Sequence, residues 1–416
     1  MKLNRIASAL FGLLGFSGAM AGVYPQCPFP INSSTSFETD PATGLKLYYR
    51  TVALPTSHRQ VCLHAVAGDG WMVLGNGKQA YGFGFAPAIG TEEEVMINGT
   101  ANARFPAPSL TFREGDEVWF SLTNVGMIHR PDLFDQHSIH WHGYPNASAI
   151  FDGVPQASAT VQMGSTFTYY YKVNEPGTYM WHCHVEATEH MEMGMLGMLN
   201  VLPRQYGSSI TVPGAGNGGA AKAFTKFAYN DGDGSTGYDR EFSLQMGGVD
   251  SNFHELHELV QPLPFLELKA DFTQLNGRGY PMTTYENQSD MPQAPDAPSL
   301  SQQHHAVVRA NVGERVLLRV SNLSIDAYYT FTALGLPMRV VGSGAQQARG
   351  PSGLAADSWA HGTTSVTLGG GDGVDLLVDT RGLAPGTYYL YTTNLNFLSN
   401  GAEEDRGGLM TTFVLQ

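Results

Sequence analysis

Trp181-His182-Cys183-His184 is followed at loop distance by His190 and Met195, and preceded in the chain by His137-Ser138-Ile139-His140-Trp141-His142-Gly143. Imidazole, thiolate and thioether groups together favour soft and borderline metal ions, copper among them. On an extended strand, alternate side chains point to opposite faces. His182 and His184 therefore share one face and Cys183 takes the other. His140 and His142 share a face, while His137, three residues back, falls on the opposite one. Laid side by side, the two segments predict one group with His137 and Cys183 and another with His140, His142, His182 and His184. Adding His190 and Met195 to the first gives a His₂Cys set with a weak thioether ligand, the composition of a blue-copper centre. The four remaining imidazoles suit one or more further metal ions. Cys183 would join the two groups through its own flanking peptide. A structural zinc site also accepts Cys and His, but it has no use for this sorting by face or for the methionine.

The two motifs resemble those of the cupredoxin-based multicopper oxidases, laccase-like members included. In that family H-x-x-H-x-H-G supplies one type 1 ligand and two cluster ligands, and H-C-H supplies two more around the copper cysteine. The resemblance implies type 1 copper at His137, Cys183, His190 and Met195, and a second mono- or polynuclear copper site at His140, His142, His182 and His184. The family's usual spacing places the next histidine five residues past the cysteine. Here His190 lies seven past Cys183 while the His190-to-Met195 interval of five is kept, so a two-residue loop insertion is expected. Asp152 follows the histidine motif at the distance where the oxidases keep an acidic residue beside the cluster. Glu186 matches a position used for proton delivery in some members. Both are candidate catalytic acids, because oxygen reduction consumes protons and general acid work needs a group within hydrogen-bond reach; an ordinary Asp-Gly turn is the structural alternative for Asp152. Met191, Met193 and Met198 surround Met195 in sequence, but methionine also fills cores. Met195 is the ligand expected, with Met193 in reserve.

The elements that must position these groups read as strands. Glycine is abundant, charge is sparse, and β-branched or aromatic alternation recurs between Gly/Pro/Asn turns, which is all-β composition. An internal repeat matches residues 113–124 (REGDEVWFSLTN) to residues 311–322 (NVGERVLLRVSN), and Pro176-Gly177-Thr178-Tyr179 to Pro385-Gly386-Thr387-Tyr388. The expected fold is two tandem cupredoxin-like Greek-key β-sandwiches with an N-terminal extension. Its boundaries are a signal peptide at 1–21, the extension at 22–94, a copper-binding sandwich at 95–205, a hinge and connector at 206–299, and a second sandwich at 300–416.

The second copy is bare of ligands. Aligned on Gly-Thr-Tyr, His182-Cys183-His184 falls on Tyr391-Thr392-Thr393, and the histidine motif falls on residues 324–329, which hold no histidine. A three-copper cluster in the family uses eight histidines, four from each of two facing domains, and this chain offers four. Three resolutions stand open: completion by a second chain, as two-domain members do by trimerising; recruitment of His254, His257, His304 or His305; or a second site holding fewer coppers. His254 and His257 have helical i, i+3 spacing and read as a surface helix turn; His304-His305 reads as a solvated turn.

The remaining sequence bounds the setting. Lys2 and Arg5, an apolar run from Ile6 to about Phe16 and Ala19-Met20-Ala21 read as a secretory signal. No later segment reaches the apolar length of a membrane span. A net charge of −14 argues against a nucleic-acid surface. If Cys183 binds copper, Cys27 and Cys62 remain as a pair for one disulfide, which export permits; two free thiols are the alternative. Asn32, Asn98, Asn146, Asn287 and Asn322 head glycosylation sequons for a eukaryotic host.

The function expected is a secreted copper oxidase. Its type 1 copper takes single electrons from a phenol, an arylamine or a reduced metal ion and passes them through the His-Cys-His strand to a dioxygen-reducing copper site. An electron-transfer or copper-carrying protein without turnover is the first alternative. Copper nitrite reductase is the second, against which stand His140 where the reductase keeps an aspartate and the lack of a histidine in the second sandwich.

Overall fold

The computed structural model describes residues 23–53, 57–145, 148–259, 262–298, 301–401 and 406–416. The expected signal peptide and the sequon Asn146 lie outside the described residues.

The first sandwich is built from β1 (Ser36–Thr39), β2 (Lys46–Val52), β3 (His58–Val73), β4 (Gln79–Pro87), β5 (Leu110–Arg113), β6 (Glu117–Gly126), β7 (His140–His142), β8 (Thr166–Lys172), β9 (Gly177–His182) and β10 (Leu196–Leu202), with helices α1 (Glu92–Asn98) and α2 (Ala187–Glu192) in its loops. One sheet has the order β1-β2-β3-β6-β8, with β4 paired to β3; the other has the order β5-β10-β9-β7. The region expected as an extension ahead of the sandwich thus supplies β1–β4 to its larger sheet, with β3 parallel to β6. Its middle, Val61 to Ala67, is a nearly continuous apolar run, the pattern of a strand covered on both faces rather than an alternating one. Cys27 and Cys62 form a disulfide that ties the leading segment to β3.

Two short hairpins, β11 (Ile210–Val212) with β12 (Lys222–Phe224) and β13 (Lys226–Phe227) with β14 (Gly237–Tyr238), lead into the second sandwich. Its strands are β15 (Arg240–Val249), β16 (Phe272–Leu275), β17 (Val308–Ala310), β18 (Arg315–Asn322), β19 (Tyr329–Ala333), β20 (Met338–Ser343), β21 (Gln346–Gln347), β22 (His361–Thr363), β23 (Ser365–Leu368), β24 (Gly373–Asp379), β25 (Gly386–Thr392) and β26 (Met410–Leu415). The sheets have the orders β16-β15-β18-β24-β20-β21, with β22 on β20, and β17-β26-β25-β19-β23. Here too the expected connector contributes, through β15, β16 and a helix between them, α3 (Ser251–Leu259).

The sequence repeat is a repeat of topology. β5 runs parallel to β10 as β17 does to β26, and β6 lies parallel to β3 and antiparallel to β8 as β18 does to β15 and β24. In both copies an acidic side chain closes the turn that the repeat encodes: Asp116 accepts from Arg113 N–H at 2.8 Å and Glu314 from Asn311 N–H at 2.7 Å. Gly115 and Gly313 supply the left-handed residue, φ +101° and +90°.

Aromatic packing decides which way the histidines face. Trp141 and Trp181 are cross-strand partners and both are fully buried. Trp141 stacks on Tyr171 with ring centroids 3.8 Å apart; Trp181 stacks on Phe85 and donates Nε1–H to Pro108 O at 3.0 Å. With the indoles committed to the core, strand alternation turns His140, His142 and His182 to the other face. The second sandwich is fixed against β9 by a buried charge cluster. Arg319 meets Asp375 at 3.3 Å and Glu241 at 3.1 Å, and Thr178 donates to Asp375 at 2.6 Å. Such a charge is tolerated inside because it is paired.

Candidate copper centres

The chain assembles two metal-competent groups, and among the described residues these are the groupings of three or more such ligands: His137, Cys183 and His190, and His140, His142 and His182. In the first, the Nδ1 atoms of His190 and His137 lie 3.2 and 3.9 Å from Cys183 Sγ. All three residues are fully buried. Ser138 N–H donates to Sγ at 3.4 Å, and Ser138 Oγ accepts from His184 N–H at 3.1 Å, so the residue between the ligands holds both motifs in register. Met195 is also fully buried, and its carbonyl accepts Cys183 N–H at 3.1 Å. Met193 turns into the core beside Phe83, and Met198 reaches the second sandwich at Ser321.

Burial shapes the protonation of this group. His190 is pushed down to about 4 and His137 lies well below its ordinary value, in both cases mainly because burial disfavours the imidazolium. Burial pushes the Cys183 thiol up to about 11. Two neutral imidazoles whose Nδ1 atoms converge on one sulfur, in a buried core that also contains Met195, fit copper in the His₂Cys-thioether manner. The Nε2 atoms of both histidines are buried without a protein partner, that of His190 3.9 Å from Asp135 Oδ2.

The second group lies across the peptide. Ring centroids of His140 and His182 are 5.1 Å apart, those of His142 and His182 5.3 Å, and His184 lies edge-on 5.0 Å from His140. Two rings are oriented by backbone acceptors. His140 Nδ1 donates to Asp152 O at 2.6 Å and His182 Nδ1 to Cys183 O at 2.6 Å, which turns both Nε2 atoms into the group, that of His182 to 3.1 Å from His142 Nδ1. Burial lowers His182 to about 3, and lowers His140 and His142 as well. The Asp152 carboxylate stands 3.6 Å from His140 Nδ1 and is partly exposed. Glu186 lies elsewhere: its electrostatic neighbour is Glu189, and Asp135 feels both, at the His190 end.

The second sandwich closes one side of this triad without adding an imidazole. A Cβ on Gly371 (φ +90°) would come within 2.6 Å of His142 Nε2, and Asp372 follows it. A three-copper cluster needs eight imidazoles, and the described residues bring four together. The group therefore fits a smaller metal site within one chain.

The other histidines are placed away from the triad. His254 and His257 are on a helix, α3, but both are fully buried rather than on a surface turn, because the helix packs on β4 and α2 instead of facing water. His304 and His305 line a cavity of about 710 Å³ with Asp40, Asn200 and Glu286 rather than a solvated turn. Sequence alone does not single out Ser138, Asp135 or the Glu189–His257 contact. The i, i+3 carboxylates Glu189 and Glu192, matched in spacing to His254 and His257, are the one signal it offers for that contact.

Residues 86–206 and residues 251–416 each match the family described as Multicopper oxidase. The chain belongs to the multicopper oxidase family. A multicopper oxidase of Talaromyces pinophilus is 33% identical over 113 residues, 27% of this chain and 17% of that protein, so the chain spans well under a fifth of that relative's length. Among solved structures, a blue copper oxidase of Nitrosomonas europaea superposes with TM-score 0.58 at 20% identity over 85% of both chains. A copper nitrite reductase of the same organism superposes with TM-score 0.55 at 16% identity over 86% of this chain and 94% of that one. These likenesses show the fold, an all-β pair of cupredoxin-like sandwiches. No described helix of this multicopper oxidase chain is long and apolar enough to cross a membrane.

Proposed function

We propose that the chain is an exported, laccase-like copper oxidase that takes single electrons from a phenol, an arylamine or a reduced metal ion and delivers them to dioxygen. Copper, when bound, would supply one-electron redox chemistry at His137, Cys183, His190 and Met195 and a dioxygen-reducing site at His140, His142, His182 and His184. The observation that carries this is the shared peptide: Cys183 belongs to one group, and its neighbours His182 and His184 belong to the other. Asp152, partly exposed and 3.6 Å from His140, would move protons between solvent and the triad. Its carbonyl meanwhile fixes the His140 ring.

A second reading has an observation of its own. With a single chain contributing only four imidazoles, the triad suits one copper, as in an electron-transfer protein or a nitrite-reductase-like enzyme. Full oxygen reduction would then draw the missing ligands from a neighbouring chain, as a trimer would provide. Oxygen uptake with a phenolic reductant, followed alongside oligomeric state, separates the two. Uptake that yields water from an assembled oligomer supports the oxidase; no uptake in any assembly, with intact type 1 absorption, would leave an electron carrier.

A further inference from the structure

Helix α2 carries His190 and two carboxylates one helical turn apart, Glu189 and Glu192; α3 carries His254 and His257 at the same spacing. Residues three apart on a helix share a face, and the two faces meet. His257 Nε2 lies 2.5 Å from Glu189 Oε1. His254 Nε2 contacts the Glu192 carbonyl, the last of α2, at 3.1 Å, with the Glu192 carboxylate 3.8 Å away. The other nitrogen of His254 bonds the Tyr81 carbonyl on β4. All four side chains are buried. The Phe83 ring meets both His257 and His190 edge-on, at 4.9 and 5.7 Å. Arg130, in the loop leading to His137, binds the His257 carbonyl. Asp250 anchors the start of α3 on Phe253 N–H and lends its own N–H to Glu192 at 2.6 Å.

We propose that α3 is a clamp on the copper-ligand turn, with His257 and His254 as positioning residues that act through Glu189 and the end of α2 to hold His190 against Cys183. The proposal rests on the type 1 reading of His190 and explains the lengthened ligand loop. Two extra residues between Cys183 and His190 would slacken a ligand held only by its own loop. Here they wind into α2, whose carboxylates are gripped from outside. The imidazoles read from sequence as candidate metal ligands thus serve the metal at one remove. Interactions of this kind orient ligands and tune a metal without touching it.

The test uses the full chain, copper-free and copper-loaded. In copper-free His257→Leu, amides of residues 187–193 should exchange with solvent about tenfold faster than in wild type while β3 and β18 are unchanged. On loading, the thiolate–copper absorption should shift or weaken. His257→Gln, whose amide N–H still reaches Glu189, should restore most of both signals. A folded His257→Leu chain with wild-type exchange over 187–193 and a wild-type copper band would overturn the clamp. Should that variant not fold, Glu189→Ala, which leaves His257 without its carboxylate partner, takes its place: faster exchange and an altered band support the clamp, and wild-type values of both overturn it. Wild-type protein lacking any thiolate–copper band would overturn the type 1 reading instead, and exchange in the copper-free chain would still test the clamp.

Discussion

Asn124 and Asn322 occupy the same place in the two sandwiches and do the same work. Asn124 donates to the carbonyls of Asp135 and Val161, and Asn322 to those of Ala327 and Leu368. From that shared anchor the two ends diverge. Two residues past Asp135 stands His137; two past Ala327 stands Tyr329. The backbone pair between Cys183 and Met195 recurs between Thr392 and Leu409 with the same 3.1 Å hydrogen bond. Where His137 faces His190 at 5.0 Å, Tyr329 meets Phe397 edge-on at 4.9 Å. His140, opposite His182 on β9, corresponds to Thr332 opposite Tyr391. The frame is common to both, and one end holds ligands where the other holds an aromatic plug. The same hydrogen-bonded frame carries both ends, and the candidate metal groups are a local choice of side chains on it.

Substitutions that cross between the two ends sharpen or break this comparison. Cys183→Ser has the largest expected effect: complete loss of thiolate–copper absorption, with the fold kept, because Thr392 shows that the frame accepts a hydroxyl there. Circular dichroism beside the visible spectrum checks it, and an unfolded variant would mean that the cysteine, not the frame, sets the end. Next comes the junction that presents the triad to the second sandwich. Arg319→Leu leaves Asp375 and Glu241 without their buried partner and should cost about 3–5 kcal/mol, read by denaturant unfolding. Loading copper into the apoprotein at pH 7 should release about one proton per chain. The buried ligand histidines, lowered below 6.5, are already neutral at that pH, whereas Cys183, raised to about 11, still carries its proton. Calorimetry in buffers of different ionisation enthalpy counts it. The smallest effect belongs to Thr392→Cys, which should yield no blue copper, since Tyr329, Phe397 and Leu409 offer no ligand beside it.

Both motifs and the tandem repeat are legible from the chain because ligand chemistry restricts residue type and strand alternation restricts facing. What escapes has a physical cause in each case. The sequence alignment sets the histidine motif against residues 324–329, whereas the strand pairing sets His140 against Thr332, because the loop after Asn322 is shorter than that after Asn124 and spacing along a loop carries no register. β3 and β4 read as part of an extension in sequence, since a strand buried on both faces shows no period of two. α3 reads as exposed because its Glu255 and Glu258 are typical of a solvated helix; only the partner carboxylates on α2 reveal which face is inward. Asn322 heads a sequon, yet its amide is fully buried in the frame, which closes that position to a glycan in the folded chain.

The two candidate metal groups of the first sandwich, joined through Cys183, should be separable. Copper stoichiometry and visible absorption of the purified chain, set beside His140→Ala, test this most directly. Loss of the copper in excess of one per chain, with the thiolate–copper band intact, is the result predicted. A band that disappears with His140, or a copper content that does not change, would contradict it.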